Sequence, residues 1–591
     1  MTDTDKTKDG ALSLDNARSL YENGQIVKAV SMLIGVIKND RTDHTAYDFL
    51  GDIYAEQGQK IPAVENYAQA VAYDPDNIAY QQKLVDSVGS TKFKKINPNL
   101  KGVLQVCLEN DAIDLRHFGR GWLSINERNK GFSSFYKLAK SKKYLIFKKA
   151  MDAKVSCDPL IDSFFLTGLG QFIVPESLFE QWLIYLRRYL LEQVSSDNEI
   201  FSDPDFMAYI TCTLSRYCFM TDYVFPVSDE EAPLIKTLRE AILSTDQPDL
   251  VQLACLGCYE PLYQLEHAQS YAEQLEGGDD VSQILKSQIE DYYKLQAIKA
   301  DIKTLSDIKD PVSMNVQEQY EVFPYPRWRV VSGSHYHKEI EGPLQGDAPD
   351  ILIAGCGTGQ EAIHMAYVFP DAKITAIDLS RSSLAYAISK AEEFDVKNIE
   401  FFHCDILDVS KLGKHFDYIT SSGVLHHMDD PVKGWAALDS VLKEKGLMRI
   451  ALYSAHARWA INKARDVIKK HDIGFDAESI ISFRRDIQNY LKLKEIRYIE
   501  NFYDYYFLPE CRDLLFHVQE HQFDLNKIND ILDQFELEFL QFHLSGAEID
   551  RYKRQNKEDV DARDLKRWAA WEENNADLFR AMYVFWCRKK G

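Results

Sequence analysis

The nine residues from Ile351 to Gly359, ILIAGCGTG, place an apolar strand directly before three glycines. A second apolar segment, KITAID, ends at Asp378, 19 residues after Gly359. Glycines after a strand let the backbone turn sharply and approach a ligand, and an acid that ends the next strand can accept both hydroxyls of a ribose. The pattern therefore predicts a parallel α/β sheet with a nucleotide-type cofactor site. The spacing G-x-G-x-G, in place of G-x-G-x-x-G, argues against a dinucleotide.

Four further motifs follow the glycines in order. They are AIDLS (376–380), FFHCDILDV (401–409), FDYITSSGVLHHMDDP (416–431) and LMRIALYS (447–454). Together with the glycine loop they resemble the class I S-adenosylmethionine-dependent methyltransferases, particularly the branch that contains the ubiquinone and menaquinone methyltransferases. Close packing of a strand against a helix is the alternative for the glycines alone. The agreement of several ordered motifs favours the cofactor site.

The resemblance implies a Rossmann-like, seven-stranded α/β sheet that binds S-adenosylmethionine. In that family the acid after the second strand holds the ribose, the Asp405–Ile406 pair brackets the adenine, and the segment 421–424 passes the methionine end. The cofactor-binding residues implied by the resemblance are Gly355, Cys356, Gly357, Gly359, Asp378, Leu379, Asp405, Ile406 and Ser422.

Two histidines, His426 and His427, follow the fourth predicted strand. The resemblance puts them near the reacting methyl group, where one of them could remove a proton from the acceptor. A scaffold role, in which they hydrogen-bond neighbouring loops, is the alternative. No metal site is predicted, because the only CxxC, Cys255 and Cys258, lies in a helix-like run without partner ligands and fits buried helix packing.

Composition limits the partners and the compartment. The 591 residues include 69 basic and 91 acidic side chains, a formal net charge of −22, so nucleic acid is not an expected partner. The chain begins MTDTDKTKDG, which has no apolar leader, and ten cysteines are scattered along it. No segment is apolar for the roughly 20 residues that span a bilayer. We therefore expect a cytoplasmic protein without a membrane anchor.

The first hundred residues repeat with a period of 34, which separates Gly24 from Gly58 and Ala29 from Ala63. The second copy resembles the tetratricopeptide repeat at Tyr47, Leu50, Gly51, Tyr54, Ala63, Tyr67, Ala70 and Pro75. We therefore expect a tetratricopeptide region over 11–95, and a helical connecting domain over 97–305 because amphipathic periods continue there. One of those periods, 179–194, puts Trp182, Tyr185, Leu186 and Tyr189 on one face, as core helices do.

The predicted methyltransferase domain covers 311–591. Its flanking segment 317–331, QEQYEVFPYPRWRVV, has two prolines and is predicted to be non-helical, with Tyr320, Tyr325 and Trp328 either shielding the cofactor sulfonium or packing between domains. A helical insertion is expected over 456–534, with Tyr503, Tyr505, Tyr506 and Phe507 as candidates for the pocket wall. A strand over 537–544, a helix near 560–579 and a final antiparallel strand over 582–590 complete the expected sheet.

The sequence thus predicts an enzyme, a methyltransferase joined to N-terminal tetratricopeptide repeats as in bacterial proteins of that composite type. The acceptor atom is expected to be oxygen, carbon or an amine nitrogen, because the fourth strand ends in SSGV and lacks the motifs of adenine, glutamine and arginine methyltransferases. Repeat arrays commonly hold peptides, so a protein acceptor or partner is expected. The alternative is a repeat scaffold whose S-adenosylmethionine-binding domain is not catalytic.

Overall fold

The computed structural model describes residues 12–153, 162–196, 204–278, 280–322, 327–331, 348–575, 578–579 and 582–590. The chain divides into two compact units, Met1–Ile289 and Glu290–Gly591. The three domains predicted from the sequence divide the first unit further, and that finer division stays a prediction.

The described residues of the first unit form helices and no strand. This agrees with the predicted helical periods of the N-terminal half. The α-helices are Leu14–Glu22, Ile26–Asn39, His44–Glu56, Lys60–Tyr73, Ile78–Gly89, Leu100–Leu108, Gly119–Asn126, Lys130–Tyr136, Tyr144–Asp152, Ser163–Leu169, Ser177–Ser195, Pro204–Met220, Glu231–Leu243, Leu250–Leu256, Ala268–Gln274 and the beginning of Asp280–Ala300, with short 3-10 helices at Lys137–Ser141 and Leu262–Gln264.

Two successive helix hairpins open the first unit. Their turns contain Gly24 and Gly58 at φ values of 72° and 71°, a left-handed conformation that glycine adopts without strain. Gly51 lets the second hairpin close tightly, because a Cβ atom there would lie 2.6 Å from the Tyr67 ring. The assignment of these hairpins to the tetratricopeptide family stays a prediction. In the long helix Ser177–Ser195 the predicted aromatic stripe is buried, so it forms core.

The second unit is built on a seven-stranded mixed sheet, as the sequence predicts. Its strand order is β3-β2-β1-β4-β5-β7-β6. The first five strands are parallel, and β7 runs antiparallel to both β5 and β6. The strands are β1 Asp350–Ala354, β2 Lys373–Asp378, β3 Ile399–His403, β4 Phe416–Ser422, β5 Leu442–Tyr453, β6 Leu537–Phe542 and β7 Met582–Lys589.

Buried side chains cover both faces of this sheet, which explains why β1 and β2 read as continuous apolar runs. The helices of the second unit are Pro311–Val322, Gln360–Val368, Arg381–Glu393, Pro431–Ser440, Trp459–Lys470, Ala477–Asp486, Leu493–Ile499, Leu508–Phe516, Leu525–Gln534, Gly546–Gln555 and Leu565–Glu572, with 3-10 helices at Ile406–Leu412, Leu425–His427, Ile487–Asn489 and Tyr503–Tyr506.

Two predictions about local structure were wrong. The flanking segment is helical as far as Val322, because its prolines come later and restrict only themselves and the residue before each of them. Residues 323–326 lie outside the described residues. The single helix expected near 560–579 is shorter, Leu565–Glu572, because Ala562 has a φ of 57° and Asp564 caps a new start.

No helix in the described part of the chain is both long and apolar enough to cross a membrane.

The packing of Gly51 gives a test of the first unit. We expect Gly51→Ala to destabilise the second hairpin by about 1–3 kcal/mol, because the overpacking against Tyr67 outweighs the gain in helix propensity. Gly102→Ala is the matched control, since a Cβ there meets nothing within 4 Å and should stabilise its helix. Hydrogen exchange should show lost protection over residues 44–73 for Gly51→Ala and none lost over 100–108 for Gly102→Ala. Equal protection of 44–73 in wild type and Gly51→Ala would contradict this account.

Candidate active site

A cavity of about 330 Å³ opens in the second unit, beyond the carboxyl ends of the parallel strands. It lies where the strand order reverses between β1 and β4, the place where open α/β sheets bind ligands. Of the residues predicted from the sequence, the lining includes Gly355, Cys356, Gly357, Asp378, Leu379, Asp405, Ile406, Ser422 and His427. Gly359 and His426 do not line it.

The glycine loop after β1 has a backbone that only glycine fits well. Gly355, Gly357 and Gly359 have φ values of 78°, 51° and 84°. A Cβ at Gly355 would collide with Val424, and one at Gly359 would lie 2.5 Å from the Cβ of Ala387. Gly359 therefore allows close packing of two helices, whereas the first two glycines expose backbone to the cavity.

Asp378 ends β2 and faces this loop. Its Oδ2 atom accepts a hydrogen bond from the Gly357 N–H at 2.7 Å, and its Oδ1 atom accepts one from the Ser380 N–H at 2.8 Å. Loss of surrounding water raises the pKa of Asp378 to about 6, against the opposing effect of these two donors. The carboxylate therefore both orders the loop and offers its remaining lone pairs to a ligand.

Burial also raises the pKa of the Asp405 carboxyl, which lines the same cavity after the neighbouring strand β3, and its Oδ1 atom accepts a hydrogen bond from the Leu407 N–H at 2.9 Å. Burial raises the pKa of the Cys356 thiol well above its ordinary value, so that side chain is a neutral packing group.

A buried arginine organises the end of β4. Arg449 Nη1 donates to Glu361 Oε1 and to Ser422 Oγ, both at 2.9 Å, and Thr420 Oγ1 donates to the same Glu361 oxygen at 2.8 Å. Glu361 lies in the first turn of Gln360–Val368 and lines the cavity. This network holds a carboxylate beside the glycine loop.

The two histidines have different surroundings. His426 is completely buried, its ring stacks on Tyr453 at 3.8 Å, and its Nδ1 accepts from the Tyr453 N–H at 3.4 Å. Burial lowers the pKa of His426 well below its ordinary value. His427 is the histidine of the pair that lines the cavity, and His426 is not, which favours a scaffold role for His426; the catalytic role of either stays a prediction.

The backbone N–H and carbonyl of Gln519 hold His427 together with a third histidine, His517. The Gln519 carbonyl lies 2.8 Å from His427 Nδ1, and the Gln519 N–H donates to His517 Nδ1 at 3.1 Å. The two imidazole rings stack with centroids 3.6 Å apart. These bonds assign opposite tautomers, since His427 must carry its proton on Nδ1 and a neutral His517 must carry its proton on Nε2.

Burial lowers the pKa of both His427 and His517, so both rings are neutral near pH 7. The Nε2 atom of His427 then has a lone pair and no proton, which is the form of a general base.

His427, Asp513 and His517 each have a potential ligand atom, and these three atoms lie within 4.8 Å of one another. The tautomer of His517 argues against a metal ion, because its Nε2 carries the proton while Nδ1 accepts the Gln519 N–H. Binding a cation through Nε2 would require that backbone hydrogen bond to be lost. The absence of a metal stays a prediction.

Asp513 supplies the carboxylate at the His427 end of the cavity, and Asp513 is 5% exposed. Tyr320 donates to its Oδ1 at 2.5 Å, and Tyr453 donates to its Oδ2 at 3.3 Å. His517 Nε2 lies 3.4 Å from the Tyr320 hydroxyl oxygen, so its proton can point toward that oxygen. The hydrogen bonds thus run from His517 through Tyr320 to Asp513.

The insertion that supplies Asp513, His517 and Gln519 is fastened by a buried ion pair. Arg458 follows β5 and donates through Nε and Nη2 to the two oxygens of Glu520, at 2.7 and 2.6 Å. The same guanidinium lies 3.7 Å above the Tyr453 ring and donates to the Leu514 carbonyl at 3.1 Å.

The aromatic residues predicted to line the site lie in different parts of the second unit. Tyr320 lines the cavity, and Trp328 packs on Phe394 and donates to the Thr358 carbonyl, so it is core of the second unit. Tyr325 lies outside the described residues. The four aromatics expected from the insertion, Tyr503, Tyr505, Tyr506 and Phe507, are not among the lining residues; Asp513 of the following helix is.

Sequence reasoning missed Glu361, Asp513, His517 and Gln519. Glu361 had a usable signal, since an acid in the first turn after a glycine loop faces the same ligand as the loop. The other three had none, because only the folded insertion brings residues 513–519 to His427.

Comparisons with known proteins agree with this geometry. Residues 348–497 match the family model described as a methyltransferase domain. An uncharacterised protein of Synechococcus is 35% identical over 172 residues, which cover 27% of this chain and 41% of that protein. The malonyl-[acyl-carrier protein] O-methyltransferase of Bacillus anthracis is 35% identical over 80 residues, covering 14% of this chain and 28% of the enzyme. The chain thus spans less than half the length of these relatives.

Among solved structures, PKMT2 from Rickettsia typhi in complex with AdoHcy has a TM-score of 0.33 and 16% identity, covering 42% of this chain and 50% of that chain. None of these matches singles out the quinone methyltransferase branch, which stays a prediction. The family match and the seven-stranded sheet with its glycine loop identify a class I methyltransferase domain in the second unit.

Proposed function

We propose that this chain is an S-adenosylmethionine-dependent methyltransferase whose acceptor enters the cavity beside His427. One observation carries the proposal. A single cavity is lined both by the glycine loop and Asp378 and by His427, whose Nδ1 is hydrogen-bonded to the Gln519 carbonyl and whose Nε2 keeps a lone pair. A site that only bound the cofactor would have no need of such a base.

The residues present fit the cofactor. Gly355 and Gly357 line the cavity with backbone at positive φ, Asp378 has lone pairs for two ribose hydroxyls, and the Asp405–Ile406 pair offers an acceptor and an apolar face for adenine. Glu361, held by Arg449, is suited to the amino group of the methionine portion. S-adenosylmethionine, when bound, supplies a methyl group on a positively charged sulfur.

Methyl transfer to a nucleophile is an in-line displacement, so alignment and exclusion of water supply most of the rate. His427 Nε2 takes the proton that the acceptor loses, and the Gln519 carbonyl stabilises the imidazolium through the Nδ1 proton. Asp513, within 4.8 Å, lowers the cost of that positive charge.

We also propose that the N-terminal helices recruit a protein acceptor, a role supported by the helix hairpins around Gly24 and Gly58. Incubating the purified chain with methyl-labelled S-adenosylmethionine and cell extract tests both proposals. Label in macromolecules supports recruitment, and label in small molecules argues against it. Cofactor binding without any transfer would favour the non-catalytic scaffold.

The raised pKa of Asp378 predicts a pH-dependent cofactor affinity. The ionised carboxylate accepts ribose hydroxyls well and the protonated form does so poorly, so affinity should fall as pH drops through about 6. We expect S-adenosylhomocysteine to bind about tenfold more weakly at pH 5 than at pH 7.5. Calorimetry on wild type and Asp378→Asn checks this, because the variant should bind weakly at both pH values. An equal pH slope in the variant would assign the titration to another group.

The base assignment predicts that His427→Gln lowers kcat by about 10²- to 10⁴-fold. Binding of S-adenosylhomocysteine should be nearly unchanged, since the side chain contacts the acceptor end. The matched control is His471→Gln, an exposed histidine at the end of Trp459–Lys470 that is expected to keep full activity. Wild-type turnover by a folded His427→Gln protein would show that no base is supplied there.

A further inference from the structure

The lining of the cavity is strongly acidic. It contains the carboxylates of Glu361, Asp378, Asp405 and Asp513, and within the described part of the chain no lysine or arginine lines it. Three of these acids lie in the half of the site proposed for the cofactor, and each has a partner in the protein. Arg449 pairs with Glu361, and backbone N–H groups donate to Asp378 and Asp405.

Asp513 differs from the other three. Its partners are the neutral hydroxyls of Tyr320 and Tyr453, which orient the carboxylate without cancelling its charge. Arg458 and Arg465 act on Asp513 only through longer-range charge, since Arg458 is engaged by both oxygens of Glu520 and Arg465 by a Glu520 oxygen and the His517 carbonyl. A carboxylate that is 5% exposed and makes no ion pair with a lysine or arginine of the described residues is stabilised by a ligand that supplies one.

A second carboxyl lies close to it. Loss of surrounding water and, after it, the negative charge of Asp513 raise the pKa of Asp504 to about 7. The charge of Asp513 therefore adds to the effect of burial on this neighbouring acid.

We infer that the end of the cavity formed by Asp513, Tyr320, Tyr453 and His427 binds a protonated amine, so that the methyl acceptor is an amine nitrogen. This inference rests on the proposed function. An ammonium group donates to Asp513 and forms with it a charge-assisted ion pair. It also brings the nitrogen beside His427, because a ring nitrogen of His427 lies within 4.8 Å of an Asp513 oxygen.

The other acceptor classes fit this end of the cavity less well. A hydroxyl or carbon acid becomes anionic as it is activated, and Asp513 would repel that charge. A carboxylate acceptor is anionic from the beginning. Binding of a carboxylate needs a cationic side chain in the wall, and the described lining has none.

The reaction balances with groups already named. The ammonium gives one proton to His427 Nε2, and the freed nitrogen lone pair forms the new N–C bond while the S–CH₃ bond breaks. The sulfur keeps the electron pair of that bond and leaves as neutral S-adenosylhomocysteine. The product is a methylated ammonium cation next to Asp513, and the proton on His427 leaves to solvent.

The chemistry of the labelled product tests the inference. The full chain is incubated with methyl-labelled S-adenosylmethionine and extract, and the product is treated with base and then hydrolysed in acid. We expect label that survives base and is retained on a cation exchanger, as methylated amines are. Label released by base as methanol, or recovered in a neutral ether or carbon-methylated product, would overturn the amine assignment while leaving the methyltransferase intact. Failure of all transfer would instead overturn the proposed function.

A substitution at Asp513 separates acceptor binding from cofactor binding. Asp513→Asn should raise the KM for the labelled amine fraction by about tenfold or more, because a charge-assisted contact is lost. Its affinities for S-adenosylmethionine and S-adenosylhomocysteine should match those of wild type. Asp530→Asn is the control, since this exposed acid of Leu525–Gln534 also loses one charge.

A larger loss of affinity for S-adenosylmethionine than for S-adenosylhomocysteine would assign Asp513 to the sulfonium and overturn the inference. If Asp513→Asn does not fold, Tyr320→Phe provides the same test, because it keeps the ring and removes one hydroxyl that orients the carboxylate. A smaller rise in KM is expected for it, and an unchanged KM would count against the subsite.

Discussion

The ion pair between Arg458 and Glu520 is the contact on which the acceptor half of the cavity depends. Both side chains are nearly inaccessible, at 2% and 1% exposed, and they meet through two parallel hydrogen bonds. Loss of one partner from such a buried pair typically costs about 3–5 kcal/mol. Arg465 adds to the attachment by donating to the His517 carbonyl at 2.9 Å. Since Glu520 is next to Gln519, the Arg458–Glu520 ion pair also fixes the Gln519 backbone N–H and carbonyl, which set the tautomers of His517 and His427.

The cavity therefore has two parts of different origin. The sheet supplies the cofactor part through the glycine loop and the ends of β2 and β4, where each carboxylate is matched by a backbone N–H group or by Arg449. The helical insertion supplies Asp513, at the end of the cavity where we propose that the acceptor binds, and the Gln519 backbone that holds His427. This division explains how a common sheet can serve different acceptors, because the insertion can vary while the strands keep their order.

Local patterns predicted the sheet well. An apolar strand followed by glycines needs only neighbouring residues to define it, so β1, β2 and the loop could be read from the sequence. The contacts of the insertion could not, because Tyr320 and Asp513 lie 193 residues apart and their hydrogen bond follows from tertiary packing. The two histidines illustrate the same limit. Adjacent residues of one type differ in surroundings because the short helix Leu425–His427 buries His426 and places His427 in the cavity wall.

A crystal structure of the full chain with S-adenosylhomocysteine is the most direct test of the central claim, that the sheet binds the cofactor and the insertion completes the catalytic end. The account predicts both ribose hydroxyls on Asp378, adenine beside Asp405 and Ile406, and the sulfur facing the space between His427 and Asp513. A ligand bound with its ribose away from Asp378, or with its sulfur directed away from the insertion, would contradict it.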